Sequence, residues 1–245
     1  MKAEIQKLSD WINSSERIVF FGGAGVSTES GIPDFRSADG LYMMDYHYPP
    51  EQVISHSFFL SHPEEFYTFY RKFLCFPDVQ PNAAHLQLAA LEQAGRLKAI
   101  VTQNIDGLHT KAGSRTVYEL HGSVHRNYCM KCGRFYDFEA VYESDGIPRC
   151  ACGGMIKPDV VLYEEPLDGE TISNAVDAIA QADLLIVAGT SLTVYPAAGF
   201  LQYFRGDRLV IINRDATHMD GQADLVLHDK VGEVLRQIEI RPVGV

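Results

Sequence analysis

Four of the five cysteines stand in the sequence as two close pairs. Cys129 and Cys132 form a C-x-x-C motif, and Cys150 and Cys152 form a C-x-C motif after a stretch of 17 residues. Two thiolate pairs at this spacing can close a tetrahedron around Zn²⁺, and four thiolates leave no open coordination position, so the predicted ion is structural. A redox-active C-x-x-C is the alternative, but it gives the second pair no role, and disulfides are disfavoured in the cytosol. Two nearby histidines are rival zinc ligands, His121 and His125.

The glycine-rich stretch VFFGGAGVSTESGIPDFRS, residues 19–37, begins as a short apolar strand. Its glycines let the backbone turn tightly, so that N–H groups can point at an anion such as a phosphate. The G-x-G-x-x-G pattern would place a third glycine at Thr28, so a plain strand-to-helix turn is the alternative. A packing turn, however, has no need for the carboxylate, aromatic ring and guanidinium that follow it, Asp34, Phe35 and Arg36.

Three other polar loops follow predicted strands. Ligands of open α/β sheets bind at the carboxyl ends of the strands, so the residues just past each strand are informative. Asn, Asp and Ser also favour ordinary turns, so a single loop of this kind carries little weight. Together with the glycine-rich stretch, the three loops suggest a dinucleotide site. The polar residues are Gln103, Asn104, Asp106 and His109 after one strand, Thr190 and Ser191 after the next, and Asn213 after a third.

His121 precedes a glycine and stands just before the cysteine pairs in the sequence. A neutral imidazole in such a position can act as a general base. A lone histidine more often has a purely structural role. The interpretation of His121 as a base therefore depends on its position among the predicted polar loops.

Short apolar strands alternate with helical segments along most of the chain. The pattern predicts an α/β fold with a doubly wound, Rossmann-like parallel sheet that has helices on both faces. Two segments interrupt it, and they predict a helical insertion that carries a cofactor loop (37–81) and a smaller inserted zinc-binding module (123–156). The remaining segments, 1–36, 82–122 and 157–245, form the predicted dinucleotide-binding domain. The predicted strands are residues 17–21, 98–103, 183–190, 208–213 and 223–228, and the predicted helices include 83–95 and 169–182.

The composition is typical of a globular chain with a sizeable core, because 46% of its 245 residues are hydrophobic. The formal net charge of −11 argues against nucleic acid as a partner, since binding phosphates requires a basic surface. The N-terminal segment mixes charges with apolar residues at helical spacing, which predicts an amphipathic helix rather than a signal peptide. No later apolar run approaches the length of a membrane span. We therefore expect a cytoplasmic protein without a membrane partner.

The motifs named above resemble, in their order along the chain, those of the sirtuins, and in particular of bacterial-type members of this family of NAD-dependent protein-lysine deacylases. The resemblance covers nearly the whole chain. It rests on GAGVSTESGIPDFR at 23–36, TQNIDGLH at 102–109, HG at 121–122, the two cysteine pairs, KPDVV at 157–161, GTSLTVYPA at 189–197 and IIN at 211–213.

The resemblance implies that NAD is a co-substrate and gives most of the polar residues a role. His121 would be the catalytic base, and Asn104 would hold the nicotinamide ribose beside it. Val160, Val161 and Tyr163 would lie along the path of the acyl-lysine. The residues implied to bind NAD are Ala24, Gly25, Thr28, Asp34, Phe35, Arg36, Gln103, Ile105, Asp106, Gly189, Thr190, Ser191, Asn213, Asp229 and Lys230.

In the reaction that the resemblance implies, the amide oxygen of an acyl-lysine attacks the ribose C1′ as nicotinamide leaves. His121 accepts the proton that lets the ribose 2′-hydroxyl attack the resulting imidate. The products would be free lysine, nicotinamide and O-acyl-ADP-ribose, and the partners would be acyl-lysine-containing proteins or peptides. Mono-ADP-ribosyl transfer and an NAD sensor without turnover are the alternatives. A dehydrogenase fits less well, because no acidic residue is clearly placed for the ribose.

Two departures from the family pattern concern the substrate. Where family members usually have Phe-Gly-Glu after the valines, this chain has Tyr163, Glu164 and Glu165, which predicts a preference for basic residues next to the acyl-lysine. Family members that remove succinyl or malonyl groups carry a Tyr and, three residues later, an Arg that together hold the acyl carboxylate. This chain has Tyr67 and Tyr70 at those positions, so the resemblance implies a preference for neutral acyl groups.

Overall fold

The computed structural model describes residues 2–35, 40–43 and 46–241. Its strands are β1 (Ile18–Gly22), β2 (Leu97–Thr102), β3 (Val117–Glu119), β4 (Gly122–Cys129), β5 (Phe135–Tyr136), β6 (Ile156–Val160), β7 (Leu184–Ala188), β8 (Arg208–Ile212) and β9 (Leu225–Leu227). Its α-helices are α1 (Lys2–Ser14), α2 (Pro50–Val53), α3 (His56–Ser61), α4 (Pro63–Phe73), α5 (Ala83–Gln93), α6 (Leu108–Lys111), α7 (Phe138–Tyr142), α8 (Gly169–Ala180) and α9 (Val231–Leu235). Short 3-10 helices include Ala24–Val26, Thr28–Ser30 and Ala197–Tyr203.

The larger sheet has six strands in the order β3-β2-β1-β7-β8-β9, and every neighbouring pair in it is parallel. The first strand, β1, lies at the centre of this sheet. Strands β2 and β3 follow on one side of it, and after a crossover β7, β8 and β9 follow on the other side. The strand order therefore reverses between β1 and β7, which is where ligands bind in folds of this class. The predicted doubly wound α/β fold is confirmed, and the short edge strand β3 is the one member of the sheet that the pattern did not predict.

Helices cover both faces of the larger sheet, as predicted. All residues of β1 and of β7 are buried, which explains why these strands are continuous apolar runs. One face packs on α1, α5 and α9, and the other packs on α8 and the 3-10 helix at 197–203. In α1 the residues Ile5, Leu8 and Ile12 are buried against the sheet, so the predicted amphipathic helix is present. No helix within the described ranges is both long and apolar enough to cross a membrane.

The smaller sheet has three antiparallel strands in the order β5-β4-β6. Its apolar side chains share one core with the helical insertion, because Val124 and Ile156 of this sheet belong to the same buried cluster as Phe59 of α3 and Phe66 of α4. The two insertions therefore pack against each other and are not separate appendages. The division of the chain into domains stays a prediction.

An ion-pair triad joins the two sheets. Arg126 of β4 has its Nη1 atom 2.6 Å from Glu119 Oε2 of β3 and its Nε atom 2.7 Å from Asp159 Oδ2 of β6. Burial raises the pKa of Glu119 despite this guanidinium. Strand β6 ends at Val160, which lines a cavity beside the larger sheet, so the smaller sheet borders that cavity.

Candidate active site

A cavity of about 680 Å³ opens at the carboxyl ends of β1, β2, β7 and β8, where the strand order of the larger sheet reverses. Residues that were not predicted, among them Ser27 and the segment 214–218, contribute to its wall. Arg36 lies outside the described residues. The predicted residues that line the cavity are Ala24, Gly25, Thr28, Asp34, Phe35, Gln103, Asn104, Ile105, Asp106, His121, Val160, Val161, Tyr163, Gly189, Thr190, Ser191, Asn213, Asp229 and Lys230.

The glycine-rich stretch crosses the loop after β7 at contact distance, next to the cavity. The Gly25 N–H donates to the Gly189 carbonyl at 2.8 Å. A Cβ on Gly25 would lie 2.8 Å from Gly189 Cα, and one on Gly189 would lie 2.4 Å from Val26 N. Gly189 also has a φ of +59°, a left-handed conformation that favours glycine. The crossing therefore requires glycine at both positions.

Three polar side chains from two loops form a hydrogen-bonded network at the cavity wall. Ser27 Oγ donates to Asp106 Oδ2 at 2.6 Å and accepts from Asn104 Nδ2 at 3.0 Å. The other carboxylate oxygen of Asp106 accepts from the Leu108 N–H at 2.9 Å. Because Ser27 binds the amide nitrogen of Asn104, it also determines the direction of the amide oxygen. Ser27 is fully buried, and no spacing rule identifies it, since it lies 79 residues before Asp106 in the chain.

His121 is held by the main chain of the loop after β2. Its Nδ1 atom lies 3.0 Å from the Gln103 carbonyl oxygen, which can only accept, so Nδ1 carries a proton and Nε2 is the basic atom of the neutral ring. Gln103 is itself anchored, because its Nε2 atom donates to Thr190 Oγ1 at 3.0 Å. Burial lowers the pKa of His121 below its ordinary value of 6.5, although the Gln103 carbonyl acts in the opposite direction. The imidazole is therefore neutral at pH 7 and can accept a proton.

The four paired cysteines converge as predicted. Their Sγ atoms all lie within 4.8 Å of one another, with 3.4 Å between those of Cys129 and Cys152 and 3.6 Å between those of Cys132 and Cys150. A Cβ on Gly154 would lie 2.7 Å from Cys129 Sγ, so the glycine leaves room for the cluster. Four thiolates without another ligand type suit Zn²⁺ in a closed, structural site.

The two histidines considered as rival zinc ligands are engaged elsewhere. His121 contacts the Gln103 carbonyl, as described above. His125 has its Nε2 atom 3.0 Å from the main-chain carbonyl oxygen of Asp106, and its ring packs against Phe138. Neither histidine belongs to the group of ligand atoms that the cysteines form. The geometry thus favours the four-cysteine set.

His109, the fourth polar residue after β2, does not line the cavity. It is 2% exposed, and its ring packs on the ring of His85 with 4.7 Å between the centroids. Burial lowers the pKa of His109 to about 3 and that of His85 to about 4. Both rings are therefore neutral at pH 7. His85 also completes the capping box of α5 with Asn82.

We expect acid to destabilise the protein through this histidine pair. An unfolded histidine takes up a proton near pH 6.5, whereas the folded pair does so only near pH 3 to 4. The stability that the neutral pair contributes is complete above pH 6.5 and is lost as the pH falls towards 3. At pH 5.5 the loss should be on the order of 1 kcal/mol of unfolding free energy per histidine. Urea denaturation at pH 7.5 and at pH 5.5 measures this difference in unfolding free energy. His85→Gln keeps a capping-box side chain and should weaken the pH dependence, so an undiminished dependence in this variant would contradict the assignment.

Tyr67 and Tyr70 lie in the core that the two insertions share. They are 0% and 1% exposed, and neither is among the described residues that line the cavity. The Tyr67 hydroxyl donates to the Ile156 carbonyl, and the rings of Phe59 and Phe66 pack against the pair. The structure therefore places both tyrosines within aromatic packing and not on the cavity wall.

The fold and the cavity define a class of protein, the Rossmann-like dinucleotide-binding proteins, with an inserted four-thiolate metal module. The model of the Sir2 family matches residues 23–196, and the chain belongs to this family, as its motifs predict. It is similar to the NAD-dependent protein deacetylase of Clostridium perfringens (strain 13 / Type A), with 59% identity over 242 residues that cover 97% of this chain and 99% of that protein.

Two solved structures of Sir2 proteins share the fold over nearly the full length of the chain. One is a complex with a deacetylated p53 peptide and 3′-O-acetyl-ADP-ribose, and it matches with a TM-score of 0.88 and 40% identity over 96% of each chain. The other is a complex with a p53 peptide and NAD+, and it matches with a TM-score of 0.84 and 40% identity over 96% of each chain.

Proposed function

We propose that this Sir2-family protein is an NAD-dependent protein deacetylase that moves the acyl group of an acyl-lysine to ADP-ribose. NAD, the acyl-lysine and one water react to give nicotinamide, O-acyl-ADP-ribose and free lysine, and neutral acyl groups are the preferred substrates. The name of the clostridial relative and the ligands of the two solved complexes support NAD as co-substrate and an acylated peptide as substrate. The observation that carries the proposal is His121, a neutral imidazole held by the main chain at the wall of a cavity lined by the predicted NAD-binding residues.

The loops after β1, β7 and β8 would hold NAD. Ala24 and Thr28 lie where the glycine-rich stretch turns, which suits a pyrophosphate. Ser191 and Asn213 lie at the other end of the nucleotide site that the strand order defines. Since Asn213 Nδ2 donates to the Asp215 carbonyl at 3.0 Å, its amide oxygen is the atom that would accept from an adenosine ribose hydroxyl.

When bound, NAD supplies a ribose C1′ from which nicotinamide can leave, and the acyl-lysine amide oxygen takes its place. His121 removes a proton from the ribose 2′-hydroxyl with Nε2, and the Gln103 carbonyl stabilises the resulting imidazolium through Nδ1. Asn104, oriented by Ser27, holds the same ribose. Val160 and Val161 line the cavity, where they would lie beside the acyl chain.

Product analysis by mass spectrometry tests the proposal directly. The protein is mixed with NAD and an acetyl-lysine peptide, and we expect equal amounts of lysine peptide, nicotinamide and O-acetyl-ADP-ribose. A sample without NAD is the control, because a simple amide hydrolase would remove the acetyl group there as well. A peptide that gains ADP-ribose and keeps its acetyl group would contradict the proposal.

The wall of the cavity next to the insertions supports the preference for neutral acyl groups. It includes the apolar residues Ile54, Phe73 and Leu74. Arg71 lies two residues before Phe73 in the chain, but its Nε atom donates to the Val141 carbonyl at 2.9 Å and its Nη2 atom to Ser144 Oγ at 2.7 Å. The guanidinium is thus tied to the zinc-binding module, and Arg71 does not line the cavity.

We expect acetyl-lysine peptides to be cleaved with a kcat/KM at least about 10²-fold above that of succinyl-lysine peptides. The reason is that burying a carboxylate without a cation costs several kcal/mol. Steady-state kinetics on matched acetyl, butyryl and succinyl peptides measures the difference. The butyryl group is as long as the succinyl group but neutral, so it separates charge from length. Similar efficiencies for the succinyl and butyryl peptides would refute the preference.

A further inference from the structure

We propose that Tyr163 and Glu164 are positioning residues that hold residues 163–165, here the substrate loop, in the shape that receives the acylated peptide. The inference rests on the proposed function, because it takes the peptide to bind where this loop lines the cavity. It concerns the two positions at which the chain departs from the Phe-Gly-Glu pattern of its family. Each of these side chains makes a contact that phenylalanine or glycine cannot make.

Glu164 has a backbone conformation that glycine adopts more readily. Its φ is +76°, in the left-handed region, and Leu192 is the only other described residue with a positive φ that is not glycine. One residue of α3 holds both oxygens of the carboxylate: Oε2 accepts from the Ser57 N–H at 2.8 Å, and Oε1 accepts from the Ser57 hydroxyl at 2.9 Å. Hydrogen bonds to an ionised acceptor are stronger than those between neutral groups. They offset the backbone strain and attach the loop to the helical insertion.

Tyr163 attaches the loop in another direction, to the segment that follows the glycine-rich stretch. Its hydroxyl lies 2.8 Å from the hydroxyl of Tyr42. The Tyr42 ring packs edge-on against Phe35 with 5.6 Å between the centroids, and both of these residues line the cavity. The substrate loop therefore links α3 to the segment that is predicted to bind the cofactor.

The main chain of the substrate loop is paired in the same region. The Tyr163 N–H donates to the Ile54 carbonyl, and the His56 N–H donates to the Tyr163 carbonyl, both at 3.0 Å. Glu165, which the family pattern shares, lies 2.7 Å from His56 Nδ1 and 3.1 Å from Lys157 Nζ. The two side-chain contacts described above add to this framework. A loop that is ordered before the peptide arrives loses less conformational freedom on binding, so the peptide KM is lower.

Hydrogen–deuterium exchange and steady-state kinetics on variants of the full chain test the proposal. Tyr163→Phe and Glu164→Gly restore the family pattern one position at a time. Ser57→Ala removes the hydroxyl contact and leaves the charge of Glu164 in place, whereas Glu164→Gln keeps an oxygen acceptor without the charge. We expect faster exchange of the Tyr163 amide without ligands in Glu164→Gly and Ser57→Ala, and a smaller change in Glu164→Gln. The peptide KM of the Tyr163→Phe/Glu164→Gly double variant should rise about fivefold or more, while the KM for NAD changes less.

Unchanged exchange in both family-pattern variants would show that the contacts do not hold the loop and would overturn the proposal. Faster exchange with an unchanged peptide KM would overturn the positioning role. In another outcome, the KM rises only for peptides with basic flanking residues, and equally in Glu164→Gln and Glu164→Gly. That result would show that the Glu164 carboxylate attracts the positive charge of the peptide and does not position the loop. Wild-type protein that fails to deacetylate would overturn the proposed function and the positioning role with it. That failure is distinguishable, because the exchange measurement needs no substrate.

Discussion

His121→Ala is expected to fold and to bind NAD, but to deacetylate at least about 10²-fold more slowly, which is the usual scale for loss of a general base. The ring of His121 supplies the basic atom in this proposal, because Nδ1 donates to the Gln103 carbonyl and leaves Nε2 to take the proton. Single-turnover kinetics gives the rate, and calorimetry gives the NAD affinity. The wild-type rate should also fall at acidic pH, below the lowered pKa of His121, since the protonated ring cannot accept.

His62→Ala is a matched control for this prediction, because His62 does not line the cavity and should keep wild-type turnover. Circular dichroism establishes that both variants are folded. Near-normal turnover by folded His121→Ala would exclude the imidazole as the base. A pH profile that stays the same in that variant would exclude it as the titrating group.

Much of the architecture could be predicted, because strands buried on both faces are continuous apolar runs. The sequence patterns of β1 and β7 carry that signal. Strand β3 lacks it, since all three of its residues are only partly buried at the edge of the sheet. The loops of the cavity were also accessible to sequence reasoning, because parallel strands bring their carboxyl ends to one edge.

The parts that could not be predicted depend on contacts between distant segments. Asp106 and His109 are three residues apart after the same strand, yet one joins the network at the cavity and the other is buried against His85. Polarity alone does not separate these two outcomes. The contact of Glu164 could not be predicted either, because its residue type suggests only an electrostatic effect on the peptide. The contact with Ser57 depends on the approach of α3, 107 residues away in the chain.

Loss of zinc is expected to disorder the smaller sheet and to abolish deacetylation, although the ion would touch neither NAD nor the peptide. Cys129 pairs with Ile156 at one end of β4 and β6, and Gly122 pairs with Val160 at the other end. The thiolate cluster therefore anchors two strands whose far ends border the cavity. A structural Zn²⁺ contributes about 10 kcal/mol or more of apparent binding free energy, which is comparable to the stability of a whole domain.

The pairing of β4 with β6 transmits this loss to the proposed catalytic base, because the Val161 N–H donates to the His121 carbonyl at 3.0 Å. Cys129→Ala should therefore lose the metal, the near-ultraviolet circular dichroism of the folded module and activity together, and a strong chelator should do the same to the wild type. Metal analysis should find one zinc per wild-type chain. Cys75→Ala is the control, because this cysteine lies in the shared core but outside the cluster and should leave the zinc content unchanged. Fully active protein without zinc, or a Cys129→Ala variant that keeps both metal and stability, would show that the cluster does not support the cavity in this way.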